Sequence, residues 1–237
     1  MNKLFNRVSD RKAELLIYGD IGGQYYGGIT ARDFIQQLQD LGDVDEIVAR
    51  INSVGGLIHE GFAIFNALRA HKAEVTTRIE GVAASIASVI ALAGDKREIA
   101  KNAHFMIHRA WNVCIGHADD MRQTAVTLES MEGKILDIYC AAAASTPREE
   151  IFQIMKEETW LPSERALEMG FVQEVYDDDS STESAMAMTF DLSRFKHPPA
   201  SLKAKAPNAE LAAMAESQRM ADEVAVRLRM LDLDEAA

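Results

Sequence analysis

The ten residues Gly81–Ile90, with the sequence GVAASIASVI, decide how the rest of the chain is interpreted. Small residues around Ser85 would allow a second polypeptide backbone to approach its hydroxyl closely. The start of the helix predicted for this stretch leaves backbone N–H groups free to bind an anion. These properties suit a serine nucleophile. An ordinary buried serine in a small-residue core helix over Ala83–Ala93 is the alternative, so the neighbouring segments have to decide between them.

Two other segments supply groups that a serine nucleophile needs. A β-branched strand, Glu46–Ile51, is followed by a loop that contains Gly55 and Gly56, and unobstructed N–H groups in such a loop suit an oxyanion hole. Downstream, the apolar strand Phe105–Ile107 ends at His108. Imidazole is the side chain whose ordinary pKa suits a general base near neutral pH. A glycine loop, a serine and a histidine in this order are more specific than any one of them alone.

This combination resembles the proteolytic subunit of the Clp protease, and more closely its phage and prophage relatives, the head-maturation or prohead proteases. Four stretches carry the resemblance: INSVGG at 51–56, GVAAS at 81–85, MIH at 106–108 and WLPSERALEMGFV at 160–172. They occur in the family's order and fall within a region of roughly residues 14–176. The resemblance implies a serine-type endopeptidase.

The resemblance also implies a role for individual residues. Ser85 would be the nucleophile and His108 the general base, while Gly55 and Ile86 would donate the N–H groups of the oxyanion hole. The substrate would lie as an added strand beside the glycine loop, so Gly56 is a predicted substrate-binding residue. No metal and no cofactor are expected.

The chain departs from the family pattern at two positions. Val54 stands where the family usually has proline. The third member of the triad is usually an aspartate shortly before an aromatic residue, whereas the equivalent stretch Lys156–Trp160 contains Glu157 and Glu158 but no aspartate. Glu158 is at the matching position and is predicted to orient His108, although its extra methylene requires a slightly retracted backbone. The alternative is a solvated pair of glutamates at a helix end, with another carboxylate completing the triad.

Alternating strands and helices predict an α/β fold with a largely parallel sheet. Its connections resemble the spiral of β-β-α units that Clp proteases share with crotonases. Residues 117–144 have apolar side chains at spacings of three and four, which predicts a long amphipathic helix. In the resembled family this is the protruding handle helix between two rings. A homo-oligomeric ring is therefore expected, with packing inside one subunit as the alternative.

The predicted domains are an N-terminal segment at 1–13, a ClpP-like serine peptidase domain at 14–176, an acidic, flexible linker at 177–206 and a C-terminal helical tail at 207–237. The linker begins with an acidic, serine-rich run and contains prolines, so poor order is expected, especially over 184–206. Near-heptad apolar spacing predicts a helix in the tail. The tail would serve as an assembly element, as a segment that the enzyme trims from itself, or as a disordered solubilising extension.

Composition limits the classes of partner and the cellular compartments that are expected for this chain. The net charge of the 237-residue chain is −12, which argues against a nucleic-acid partner held through phosphate contacts. Cys114 and Cys140 lack metal-type spacing and are expected to be buried free thiols of a cytoplasmic protein. Residues 1–7 lack the apolar core of a signal peptide, and no apolar run is long enough to span a bilayer. No membrane partner is expected.

The predicted function is cleavage of extended polypeptides, with phage capsid or scaffold precursors as substrates during head maturation. General ATP-dependent protein turnover is the alternative within the same class. The chain contains no GxxxxGK[ST] phosphate loop, so an AAA+ ATPase would be a separate partner. A crotonase-like enzyme acting on acyl-CoA is a second alternative, but it would not need a serine–histidine pair. An inactive ring subunit is disfavoured because Ser85 and His108 are both present.

Overall fold

The computed structural model describes residues 5–9, 11–23, 28–177, 190–199 and 202. The strands of this part of the chain are β1 (Phe5–Arg7), β2 (Lys12–Tyr18), β3 (Glu46–Ser53), β4 (Glu74–Ala84), β5 (Lys96–Ala100), β6 (His104–Ile107), β7 (Thr159–Pro162) and β8 (Glu174–Tyr176). The helices are α1 (Ala31–Asp40), α2 (Ile58–Arg69), α3 (Ile86–Ala91), α4 (Ala118–Ala142), α5 (Arg148–Lys156) and α6 (Ser163–Glu168).

These strands form one sheet in which most pairs are parallel. The order along its main path is β1-β2-β3-β4-β5-β8, and only β1 runs antiparallel to its neighbour on this path. Away from the path, β6 pairs in parallel with β4, and β7 pairs antiparallel with β6. Parallel strands need crossover connections, and helices supply several of them. The predicted α/β class with a largely parallel sheet is confirmed.

The sheet divides along the length of β4. The first part of this strand, Thr76–Ile79, pairs with β5, whereas its last residues, Val82–Ala84, pair with His104–Met106 of β6. The core helix over Ala83–Ala93 that the alternative interpretation of this stretch requires is therefore not formed. Ala83 and Ala84 still belong to β4 because they pair with β6, and α3 begins only at Ile86.

Buried aliphatic side chains from the strands and from the helices packed on them form the core. Along β2, Ala13, Leu15 and Ile17 are fully buried, and the residues between them are half-buried. This alternation is typical of a strand with one face in the core. On one side of the sheet, α2 and α3 pack against each other, and all six residues of α3 are buried. The helix that carries the serine stretch is thus held rigidly in place.

Helix α4 corresponds to the predicted handle helix at 117–144. His117 is its N-cap residue, and the His117 amide donates a hydrogen bond to Asp120 Oδ2 over 2.8 Å. Near the C-terminal end of the helix, Ile135 and Tyr139 are buried in the core, whereas Met121 and Val126 in its first half are 52% and 59% exposed. The predicted apolar stripe therefore contacts the core of this chain only over its second half.

Part of the predicted flexible linker is packed. Residues 190–199 are described by the structure, and within them Phe195 is only 7% exposed. The expectation of poor order is wrong for this part because an aromatic side chain in a polar segment finds apolar partners elsewhere in the fold. The acidic part of the linker at 178–189 and the predicted C-terminal helix at 207–237 lie outside the described residues.

None of the helices in the described ranges combines the length and the apolar character needed to cross a bilayer.

The contact between α2 and α3 generates a prediction about stability. A Cβ added at Gly61 would lie 2.1 Å from Cγ1 of Ile86, so Gly61→Ala is expected to destabilise the fold by roughly 1–3 kcal/mol through overpacking. Gly133→Ala in α4 is the matched control, because a Cβ there would meet nothing within 4 Å. That substitution is expected to stabilise by up to about 1 kcal/mol through helix propensity. Urea unfolding measures the free energy of unfolding of both variants. Equal stabilities of the two variants would contradict the packing described here.

Candidate active site

Three adjacent parallel strands bring the predicted site residues together. Ser85 directly follows β4, His108 directly follows β6, and Gly55 follows β3 after one intervening residue. The Ser85 amide also donates a hydrogen bond to the Met106 carbonyl over 3.1 Å, which joins the end of β4 to the end of β6. The carboxyl ends of parallel strands lie at the same edge of a sheet, which is where α/β folds place their sites.

Ser85 and His108 form a hydrogen-bonded pair. The distance between Ser85 Oγ and His108 Nε2 is 2.7 Å. Ser85 has φ 56° and ψ −130°, a backbone conformation that residues other than glycine rarely adopt. Such strain is kept only where the surrounding structure enforces it, and it is concentrated at functional sites. Here it marks the sharp turn from β4 into α3 that carries the hydroxyl.

The environment of His108 favours the neutral imidazole. The pKa of His108 is lowered to about 4. Burial is the largest cause, the negative charge of Glu158 acts in the opposite direction, and the positive charge of Arg194 adds to the lowering. Near neutral pH the ring is therefore uncharged. A neutral ring has one nitrogen that can accept a proton, and at 2.7 Å the Ser85 hydroxyl is within reach of Nε2.

The glycine loop approaches Ser85 closely. Gly55 has φ +87°, and a Cβ at this position would lie 2.7 Å from both the Ala84 carbonyl oxygen and Ser85 Cβ, so only glycine fits. The Gly55 amide donates a hydrogen bond to Ser53 Oγ over 3.1 Å.

The two predicted oxyanion donors differ in whether their N–H group is already hydrogen-bonded. The Gly55 N–H is engaged by Ser53, whereas the Ile86 N–H has no hydrogen-bond partner within the described part of the chain. Gly56 lies beside Ile21 in a short parallel bridge, and the neighbouring Leu57 amide donates to the Ile21 carbonyl. The Gly56 N–H likewise has no partner among the described residues.

Strand register places Glu158 next to His108. In the antiparallel pair of β6 and β7, Ile107 is opposite Thr159, so the residues beyond this end of the ladder, His108 and Glu158, are neighbours. Glu158 is 8% exposed and has φ 52°. It is not part of a solvated charge pair with Glu157, which is exposed and hydrogen-bonds to a glutamine on its own helix.

The carboxylate of Glu158 has partners that the sequence did not indicate. Its Oε1 accepts hydrogen bonds from the backbone amides of Lys196, at 2.6 Å, and His197, at 2.9 Å. Among the described residues no hydrogen bond joins Glu158 to His108. The two side chains interact instead through the charge of the carboxylate, which raises the pKa of the imidazole against the effect of burial. The role of Glu158 as third triad member stays a prediction.

Arg194 and Phe195 line the site, and sequence reasoning missed both. The centroid of the Phe195 ring lies 5.9 Å from that of His108 in an edge-on arrangement. Arg194 Nη2 donates to the Val54 carbonyl over 3.2 Å. The only sequence signal is an aromatic residue next to a cation in the polar segment 190–199, and nothing local relates it to a loop 140 positions away.

A largely apolar cavity of about 490 Å³ opens beside the Ser–His pair. Its walls include Ser85, His108, Trp111, Tyr139 and Phe195. The size and lining are those of a pocket that accepts an apolar side chain. No cluster of three or more metal-ligating side chains occurs in the ranges that the structure describes.

A parallel sheet with a serine–histidine pair at neighbouring strand ends is the arrangement of an α/β serine hydrolase. Residues 6–179 match the family profile described as "Clp protease", which is well over half of the chain. The chain belongs to the Clp protease family. The resemblance that the sequence predicts is thereby confirmed at the level of the family, which supports the predicted class of serine endopeptidase.

Curated relatives agree with this family. The chain is 32% identical over 134 residues to an ATP-dependent Clp protease proteolytic subunit of Deinococcus radiodurans, which covers 56% of this chain and 65% of that protein. It is 30% identical over 151 residues to the subunit of Bacteroides fragilis, covering 62% and 72% of the two chains. It is also 30% identical over 162 residues to the subunit of Leuconostoc citreum, covering 67% and 80%. The alignment thus spans slightly less than two thirds of the Deinococcus protein.

The surroundings of His108 predict its titration. The imidazole is expected to titrate with a pKa of about 4. Arg194→Gln is expected to raise this pKa, because it removes a charge that opposes protonation and loosens a neighbouring segment that buries the ring. NMR titration measures the pKa, with the His108 signals assigned from the spectrum of His108→Ala. Arg148→Gln is the control, because Arg148 is exposed and pairs with Asp137. A pKa near 6.5 in the unsubstituted protein would contradict the buried environment.

Proposed function

We propose that this protein is a serine endopeptidase that cleaves extended polypeptide chains. The hydrogen bond of 2.7 Å between Ser85 Oγ and His108 Nε2, in a member of the Clp protease family, is the observation that carries the proposal. A crotonase-like acyl-CoA enzyme is a weaker candidate, because its chemistry has no need for a buried imidazole paired with a serine at a strained turn.

In the proposed mechanism, Ser85 Oγ attacks the substrate carbonyl carbon while His108 Nε2 accepts the hydroxyl proton. The tetrahedral intermediate places its negative oxygen against the Ile86 N–H and the Gly55 N–H, the latter after release from Ser53. His108 then protonates the leaving amine, and a water molecule repeats the sequence to release the acyl product. The low pKa of His108 makes the imidazolium costly to form, so a neighbouring negative charge has to stabilise it.

We propose Glu158 as the source of that charge and therefore as the third member of the triad. Its burial, its register position beside His108 and its effect on the pKa of the imidazole support this role. A direct contact with Nδ1 would require the carboxylate to leave the amides of Lys196 and His197.

The substrate is proposed to bind as an extended strand beside the glycine loop. The unpartnered N–H of Gly56, which lies at the edge of the cavity, supports main-chain pairing with a substrate backbone. The adjacent apolar cavity would receive one substrate side chain.

A homo-oligomeric ring is the proposed assembly. Large apolar side chains are uncovered in the loop before α4 and in the first half of α4, and exposed apolar side chains grouped in this way are typical of a protein–protein interface. They are Trp111, Val113, Ile115, Met121 and Val126. A second copy meeting this face through α4 would bury them, as the resembled handle helix does.

Phage capsid or scaffold precursors are the proposed substrates, on the strength of the resemblance to the head-maturation branch. General protein turnover with a separate AAA+ ATPase is the second candidate, and the identity of the relatives as ATP-dependent Clp protease proteolytic subunits favours it. We propose a cytoplasmic location for either activity. Cys114 and Cys140 are half-buried rather than buried as predicted, and both are free, which agrees with a reducing compartment.

Loss of the nucleophile tests the proposed activity. Ser85→Ala is expected to abolish labelling by a fluorophosphonate probe and to reduce peptide hydrolysis about 10⁴-fold or more. Ser145→Ala is the matched control, because Ser145 is exposed in the turn after α4 and is expected to leave both signals unchanged. Labelling that persists in Ser85→Ala would disprove the assignment of the nucleophile.

Product analysis tests the proposed substrates. Purified protein incubated with capsid and scaffold precursors is expected to release discrete fragments without an ATPase, because an extended chain needs no unfolding before it pairs with the site. Mass spectrometry identifies the cleavage sites, and the Ser85→Ala protein is the control. Cleavage that depends on an added AAA+ ATPase and shows no preference for precursors would favour general turnover.

A further inference from the structure

We propose that residues Arg194–His197, which we name the active-site strap, form an autoinhibitory element that binds the catalytic site of their own chain. The proposal that the inhibited activity is peptide hydrolysis rests on the proposed peptidase function. The strap contacts the three parts of the machinery that act on a substrate: the oxyanion loop, the imidazole and the neighbouring carboxylate. Each contact favours an arrangement in which that part is not ready to act.

The first contact concerns the peptide unit between Val54 and Gly55. Arg194 Nη2 donates to the carbonyl oxygen of this unit over 3.2 Å, while its N–H, which belongs to Gly55, donates to Ser53 Oγ over 3.1 Å. A peptide unit is planar, so holding its carbonyl also fixes the direction of its N–H. Arg194 thereby stabilises the orientation in which the predicted oxyanion donor is engaged within its own loop.

The second contact concerns Glu158. Its Oε1 accepts the amides of both Lys196 and His197, at 2.6 and 2.9 Å. Two N–H donors on one carboxylate oxygen spread its negative charge and hold it in place. A carboxylate bound in this way is less able to turn towards His108 and stabilise an imidazolium.

The third contact concerns His108 itself. Phe195 packs edge-on against the imidazole and, on its other side, against Trp160 at a centroid distance of 5.4 Å. The ring excludes water from His108, and the guanidinium of Arg194 adds a like charge to any imidazolium. Both effects lower the pKa of the general base. A weaker base takes the proton from Ser85 less readily.

The strap is held in a way that permits release. One buried ring and a few hydrogen bonds attach it, Arg194 keeps 31% of its side chain exposed, and Lys196 and His197 are exposed. The strap is not part of any described strand or helix. A substrate strand that pairs with the glycine loop would compete for the Val54–Gly55 unit and displace the strap. The strap would therefore keep the site at low activity until a long polypeptide binds.

A proline substitution in the full-length protein tests the strap. Lys196→Pro removes an N–H that binds Glu158 and restricts the backbone of Phe195, and it leaves Ser85 and His108 unchanged. The rate of fluorophosphonate labelling at Ser85 is expected to rise about tenfold, within the range by which general bases accelerate reactions. Lys196→Ala keeps the N–H and removes only an exposed side chain, so its rate is expected to equal that of the unsubstituted protein. An equal or slower rate in Lys196→Pro would overturn the proposal.

The fluorescence of Trp160 gives a readout that does not depend on activity. Trp111 and Trp160 are the two tryptophans of the chain, so Trp111→Phe leaves Trp160, which contacts Phe195, as the single reporter. In this background Lys196→Pro is expected to shift emission to longer wavelength, and Lys196→Ala is expected to leave it unchanged. A shift without faster labelling would show that the strap binds but does not inhibit. Absence of Ser85 labelling in every variant would instead contradict the peptidase function on which the inhibition rests.

Discussion

The short parallel pairing between the end of β4 and β6 is the interaction on which the site depends. Only three residue pairs form it, Val82–Ala84 with His104–Met106, and the Ser85 amide extends it by one hydrogen bond to the Met106 carbonyl. Both strands end close to this point, so the residue directly after β4, Ser85, lies beside the residue directly after β6, His108. The distance of 2.7 Å between Oγ and Nε2 follows from that shared edge.

Backbone strain is stored at two residues that border strands paired with β6. The chain leaves β4 through Ser85 at φ 56° and enters β7 through Glu158 at φ 52°, and these are the two described residues other than glycine with positive φ. Each lies at the end of a strand that β6 helps to hold. A rigid sheet and a fully buried α3 support these conformations, which a flexible loop would relax. Strain at two positions beside one histidine agrees with a site that is built for chemistry.

Part of the wall of the site comes from outside the region that matches the Clp protease family. A segment beyond the family match at residues 6–179 returns to the site and provides Arg194 and Phe195 as part of its wall. The carboxylate of Glu158 is therefore shared between two roles: it acts on the imidazole through its charge and anchors the strap through its hydrogen bonds. The proposed inhibition by the strap would protect other polypeptides near the enzyme, because a permanently active peptidase would cleave them.

The sequence by itself determined the class of fold and the family, and it predicted that Ser85, His108 and the glycine loop lie together, because strand-ending motifs in a parallel sheet meet at one edge whatever the details of packing. Only the tertiary structure decided that the Gly55 N–H is bound to Ser53, that Glu158 contacts the strap and that Phe195 covers His108. The contacts of Glu158 and Phe195 form through the register of β7 on β6 and through a segment far along the chain, and no periodicity or spacing in the sequence encodes such long-range pairings. The hydrogen bond between Gly55 and Ser53 is local, but it depends on the backbone conformation that the loop adopts beside Ser85.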